Sequence, residues 1–296
     1  MAQIILYADK VNKRFNHYNY AWPDRPEMDM KTVIVDSHNE VFPHWIREYI
    51  SHKLPLVVVR IDRHHDMFPN CPLLPAREGR DIFDYLNKMM PVICEYAQRR
   101  LNEGNFTCPA FHYGIIGSLY HFDPRKEKID AYGRIVEGEL VDGPRTKMRS
   151  SFINGRRIDL IEWDEERTRL RKQNGMLIPA PESIDATEFE IDLDKSRYPI
   201  VIGIDLDGLC AIDDRGWTRK DILKRLKRAK SLLECISSPV LACIARSQTP
   251  RAYVPPEMVD ELQEAALSLM SLIRCRSLPR DPFGRPSRRD RGQPRS

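Results

Sequence analysis

The sequence predicts a three-layer α/β fold: a parallel sheet covered by helices on both faces. Three observations carry this. Pro55–Asp62 (PLVVVRID), Tyr198–Leu206 (YPIVIGIDL) and Val240–Ala245 (VLACIA) are almost continuously apolar, as strands buried on both sides must be. Stretches with helical spacing alternate with them, which is the order of a sheet wrapped by helices. Two of these runs carry an aspartate at their end or one residue before it, and the shorter run Lys31–Asp36 (KTVIVD) ends in one. The carboxyl ends of parallel strands are where open α/β sheets place their chemistry.

Taken in order, Lys31–Asp36 is a β-branched strand. Pro43–Ile50 has helical spacing, with Trp45 and Tyr49 four apart. Pro69–Pro75 is a proline-rich loop. Arg80–Leu101 predicts one long helix, with Ile82, Leu86, Met89, Met90, Ile93 and Tyr96 along one side. Phe111–Tyr120 gives no clear pattern. Lys128–Glu166, including Arg157–Trp163, predicts short strands and turns inserted on the main fold, and Ile178–Ser183 predicts a loop. Thr218–Ile236 is an amphipathic helix, and Pro256–Ile273 is a last helix with proline in its first turn.

Composition narrows the function classes. The chain has 296 residues, a length for one large domain, and its 42% hydrophobic and 30% charged residues are those of a globular protein. The formal charge of +4 comes from the end: residues 279–296 hold six arginines against two aspartates, and the rest has 41 basic and 41 acidic residues. The body therefore carries no nucleic-acid footprint. Residues 1–278 are expected to form a single domain and 279–296 a disordered basic tail. No apolar stretch is long enough to span a bilayer, and MAQIILYADK reads as mature sequence, so no membrane partner is expected. Seven cysteines without a CxxC fit a reducing, cytoplasmic setting.

The chemistry-bearing residues sit at strand ends. Asp36-Ser37-His38-Asn39-Glu40 follows the first strand, Asp62-Arg63-His64-His65-Asp66 the second, and Asp205-Leu206-Asp207-Gly208 a third. Alternate residues of an extended chain share a face, so Asp62 with His64, and Asp205 with Asp207, point together, while Asp66 curls back from the next turn. Carboxylates at this density raise one another's pKa unless a cation compensates. Aspartate with histidine suits manganese, iron or zinc. Four carboxylates and two histidines exceed one tetrahedral ion and suit two ions with bridging carboxylates. His65 should face away from His64. His112 is the candidate acid/base group, and His121, Ser247 and Arg251 are further residues that could line the site.

The segments HNEVFPHW, RIDRHHDM and IGIDLDGL resemble the ureohydrolase superfamily of arginases and agmatinases, and within it the branch that contains peptide arginases. The resemblance runs from about Val33 to the helix containing Met258. It implies an arginase-like fold and two manganese ions. His38, Asp62, Asp66 and Asp205 would hold one ion, and Asp62, His64, Asp205 and Asp207 the other, with Asp62 and Asp205 bridging. It implies hydrolysis of peptidyl arginine to peptidyl ornithine and urea in a ribosomal peptide natural-product pathway, with Asp66 catalytic; the family's proton-transfer histidine has no close counterpart after Asp66, which leaves His112 as the candidate. The implied partner is a precursor peptide, with a leader segment as one route of recognition. Arginases bind their substrate with an acid after a late strand. VLACIARSQTP has none, which leaves Glu40 or Asp36 as the candidates. The alternatives are an agmatinase-like or free-arginine ureohydrolase, a single-zinc deacetylase-like hydrolase and a non-enzymatic metal-containing binding protein.

Overall fold

The computed structural model describes residues 30–271 and 273, apart from 142, 174, 175 and 215. The expected tail, 279–296, and the first 29 residues lie outside the described residues.

The first half runs β1 (Lys31–Val35), a 3-10 turn (His38–Val41), α1 (Phe42–His52), β2 (Leu56–Ile61), β3 (Cys71–Pro72), α2 (Ile82–Lys88), α3 (Met90–Arg99), α4 (Thr107–His112), β4 (Ile116–Phe122) and β5 (Ile129–Tyr132). Small strands follow: β6 (Ile135–Val136), β7 (Glu139–Leu140), β8 (Thr146–Ile153), β9 (Arg156–Trp163), β10 (Leu170–Gln173), β11 (Met176–Pro179) and β12 (Glu182–Ile184). The chain ends with α5 (Ala186–Asp194), β13 (Ile200–Asp205), α6 (Arg219–Leu233), β14 (Leu241–Ala245) and α7 (Val259–Met270).

Seven strands form the central sheet in the order β1-β14-β13-β2-β4-β5-β12. The first five are mutually parallel, and β5 and β12 add antiparallel at one edge. Side chains alternate across β2. Val57, Val59 and Ile61 pack with α5, α6 and α7, while Leu56 and Val58 pack with α1 to α4. The fold is thus mixed α/β with helices on both faces, as the buried apolar runs predict. Of the insertion expected over 128–166, β5 joins the central sheet, while β6-β7 form a pair, β8 and β9 form a three-stranded sheet with β3 from the proline-rich segment, and β10-β11 beyond it form another pair.

Besides the loop expected over 178–183, which instead holds the end of β11 and most of β12, two elements differ from expectation. The long helix over 80–101 is two helices that meet at Met89 (φ −85°, ψ 0°). Pro91 lacks an N–H and its ring would crowd the preceding turn, so it opens a new helix rather than continuing the old one. The second is β4, in the middle of the sheet where no strand is predicted. Gly117, Ser118 and His121 break its apolar run. Gly117 is needed because a Cβ there would strike Leu140 and lie 3.1 Å from the Pro55 Cβ. Ser118 is buried but donates to the Gly133 carbonyl at 2.7 Å. Among the described residues, no helix is long and apolar enough to cross a membrane.

Candidate metal centre

Three parallel strands, β1, β2 and β13, deliver the expected ligands to one end of the sheet. His38 opens the 3-10 turn after β1, and its ring is buried against Phe106, centroids 4.7 Å apart. Asp62 follows β2, tied to β4 by its N–H to the Phe122 carbonyl (3.0 Å), and its Oδ1 accepts from the His64 N–H at 2.7 Å. Asp66 sits in the left-handed region (φ 49°), where aspartate is tolerated better than most side chains. Asp205 ends β13, and its Oδ1 accepts from the Asp207 N–H at 3.1 Å. Gly208 lets this loop approach the other: a Cβ there would lie 3.0 Å from the Asp62 Cα and 3.2 Å from its N and C.

The six residues come together, in two groups. His38 Nδ1 lies 3.3 Å from Asp62 Oδ2, 3.1 Å from Asp66 Oδ2 and 3.1 Å from Asp205 Oδ2. His64 Nδ1 lies 2.8 Å from Asp207 Oδ2. Ligand atoms of His38, Asp62 and Asp205 all fall within 4.8 Å of one another, and so do those of Asp62, His64 and Asp207. Asp62 belongs to both triads. Asp205 joins only the first, whereas the resemblance implies that it bridges as well. The first triad is fully buried. The second opens to solvent through His64, whose side chain is 47% exposed.

The donor set fits a cation. His38 Nδ1, Asp62 Oδ2, Asp66 Oδ2 and Asp207 Oδ1 are buried and make no well-formed hydrogen bond. Buried polar atoms are rarely left this way. Donors about 2.1 Å from a shared octahedral ion stand about 3 Å from each other, close to the separations found here. Protons show the same crowding. Burial and then the charge of Asp62 push the Asp66 pKa up to about 7. Burial, with Asp205 and Asp62, raises Asp207 well above the usual carboxylate range. The hydrogen bond with Asp207 lifts His64 to about 9 against its burial. Burial disfavours the His38 charge, but the adjoining carboxylates of Asp205, Asp62 and Asp66 outweigh it and raise its pKa.

Other expected residues lie elsewhere. His112 ends α4 and its Nδ1 pairs with Thr146 Oγ1 at 2.7 Å. It precedes β4, whose first residues align with the start of β2, so it sits at the opposite end of the sheet from Asp62. Glu40 turns back to accept from the N–H groups of Asp36 (3.1 Å) and Ser37 (3.4 Å), and so caps the turn that presents His38. Asp36 accepts from Thr249 Oγ1 at 2.7 Å. His65 faces away from the triads, as expected, with Nδ1 2.6 Å from the Tyr132 hydroxyl and its ring stacked on buried His121 at 4.1 Å.

Five residues gain a role that the sequence gives weakly or not at all. Ser247, left-handed at φ 53°, donates to both oxygens of Asp205 (2.6 and 2.7 Å). Arg60 is fully buried on β2, two residues before Asp62, with its guanidinium among the ligands. A charge inside PLVVVRID, on the face that Asp62 shares, is the signal that marks it. On the exposed flank, the Tyr253 ring lies 6.0 Å from that of His64, and its hydroxyl donates to Glu103 Oε1 at 2.7 Å. Arg251 stacks on Tyr253 at 4.7 Å.

No protein-family model matches this chain, and no curated protein matches it.

Proposed function

We propose that the chain is a binuclear metallohydrolase that cleaves the guanidinium group of arginine within a peptide, giving peptidyl ornithine and urea. The observation that carries the reading is the pair of ligand triads sharing Asp62, with four buried polar atoms that make no well-formed hydrogen bond. The sequence resemblance to arginases supplies the reaction and the metal, manganese. His38, Asp62, Asp66 and Asp205 would hold one ion, and Asp62, His64 and Asp207 the other. Divalent ions bound there supply a water nucleophile at neutral pH and Lewis-acid polarisation.

The chain's own groups do the rest. Asp66 is the group placed to take up and return a proton, at Oδ2, which lies within the cluster, 3.1 Å from His38 Nδ1 and 3.4 Å from Arg60 Nη1. It takes the role of proton donor to the leaving amine in place of His112. The exposed His64 side gives a side chain access, while the buried His38 side excludes water. A guanidinium cation calls for a carboxylate. Glu103, held by Tyr253 beside His64, offers one on the accessible flank, where Glu40 is occupied in capping.

Mass spectrometry of manganese-loaded protein with arginine-containing peptides tests the reading. The expected product is lighter by one cyanamide unit per converted arginine. The kcat/KM for an internal arginine should exceed that for free arginine by about 100-fold, or about 2.7 kcal/mol. Turnover of free arginine or agmatine alone moves the substrate to a small guanidine. One ion at full loading favours the single-zinc hydrolase. Two ions with no turnover of any guanidino compound leaves a metal-containing binding protein.

A further inference from the structure

Arg60 is a feature of this centre that two-metal chemistry does not require. Its side chain is 0% exposed. Its Nε lies 3.4 Å from Asp62 Oδ2 and its Nη1 3.4 Å from Asp66 Oδ2. Nη1 also donates to Thr107 Oγ1 at the start of α4 (2.9 Å), and Nη2 donates to the carbonyls of His64 (3.3 Å) and His65. The guanidinium carbon stands 5.8 Å from the centroid of the Phe106 ring, which also packs on His38. One planar cation therefore touches two ligand carboxylates, two carbonyls of the loop that carries them, and a helix on the opposite wall. Its carbonyl and hydroxyl bonds do not involve metal ligand atoms, so they persist whether or not an ion is bound.

A buried unpaired charge costs several kcal/mol, and Asp62, Asp66, Asp205 and Asp207 crowd together here. We propose that Arg60 is a resident cation of the centre. It holds the 62–66 loop in its ligand arrangement and shares the counter-charge of Asp62 and Asp66, so the buried triad is formed before a divalent ion arrives. The inference rests on the metal reading above, and it makes Arg60 a positioning residue with no contact to substrate. It predicts a coupling. Without Arg60, the empty centre loses its compensation and depends more on added metal, because an ion that binds only the folded state stabilises it by mass action.

The test compares thermal unfolding with and without saturating manganese for the full chain, for Arg60→Met, which keeps volume without charge, and for Arg60→Lys, which keeps charge without the planar fork. The wild type should show a manganese-induced rise in Tm. Arg60→Met should melt lower without metal, and its manganese-induced rise should be at least twice the wild-type rise. Arg60→Lys should fall between. A variant that folds only with manganese gives the same answer in its extreme form. If Arg60→Met is lowered equally with and without manganese, Arg60 is packing alone and the inference is overturned. If Arg60→Met does not fold even with manganese, Arg60→Lys decides: a rise no larger than wild type overturns the inference. A wild type with no manganese-induced rise fails the metal reading instead.

Discussion

Ser247 gives its hydroxyl to both oxygens of Asp205, at 2.6 and 2.7 Å, and is 4% exposed. Its backbone is held independently, by its N–H to the Asp36 carbonyl and its carbonyl to the Tyr253 N–H, both 2.8 Å. Ser247→Ala therefore removes one bond and leaves the loop path. Alanine is no worse than serine at φ 53°, since neither is glycine. A hydrogen bond to a charged group contributes about 1.5–3 kcal/mol, and partners that orient a metal ligand typically set affinity by about 10–100-fold. At about 1.4 kcal/mol per tenfold, the two figures agree. Ser247→Ala should weaken manganese binding at the His38 triad by about 10–100-fold, read by competition titration against a metallochromic chelator. Thr249→Val, which removes the neighbouring bond to Asp36, should leave it unchanged. Wild-type affinity in Ser247→Ala, or an equal loss in Thr249→Val, would refute the claim that Ser247 aims Asp205.

Other consequences concern the flank, the loop contact and acid stability. Glu103→Gln should raise KM for an arginine peptide by about 10–100-fold with little change in kcat, as loss of a charged hydrogen bond predicts; steady-state kinetics giving an unchanged KM would remove Glu103 from substrate binding. Gly208→Ala forces a Cβ to 3.0 Å from the Asp62 Cα, and overpacking of this kind costs about 1–3 kcal/mol. Denaturant unfolding should show that loss together with weakened metal binding, and a neutral effect on both would contradict the close approach. Burial works to raise Asp123 and Asp214, but Arg125 and Arg225 respectively outweigh it and hold both below the usual carboxylate range. The native state then binds fewer protons than the unfolded one, so this stability is complete above about pH 4 and is lost as pH falls through the lower native values. Asp123→Asn should flatten that acid limb in urea unfolding measured against pH, and an unchanged limb would exclude the pair as its cause.

The sequence shows its buried strands because a strand covered on both faces has no polar alternation, which is why β2, β13 and β14 are legible. The same logic hides β4, whose serine and histidine are buried and whose glycine makes room for Leu140. Pro91 is visible in the sequence, yet the apolar side of 82–96 runs through it, so periodicity alone joins two helices. The six candidate ligands are legible because parallel strands bring their carboxyl ends together wherever they fall in the chain. His112 is misplaced by sequence reasoning because the end of the sheet it occupies depends on the direction of β4, an element the pattern does not reveal. Glu40 is ambiguous for a local reason: Ser37-His38-Asn39-Glu40 is also the spacing of a capping box, and that is the use the structure makes of it. Arg60 and Ser247 act on ligands rather than as ligands, so no ligand motif includes them.

The central claim is that Asp62 is common to two cation positions, and metal stoichiometry measures it most directly. Manganese content after loading and desalting, by inductively coupled plasma mass spectrometry, should give two ions per wild-type chain. Asp62→Asn removes the shared charge from both triads and should lose both ions together. Asp207→Ala touches only the solvent-open triad and should retain one. One ion in the wild type, or one ion retained by Asp62→Asn, would contradict a shared Asp62.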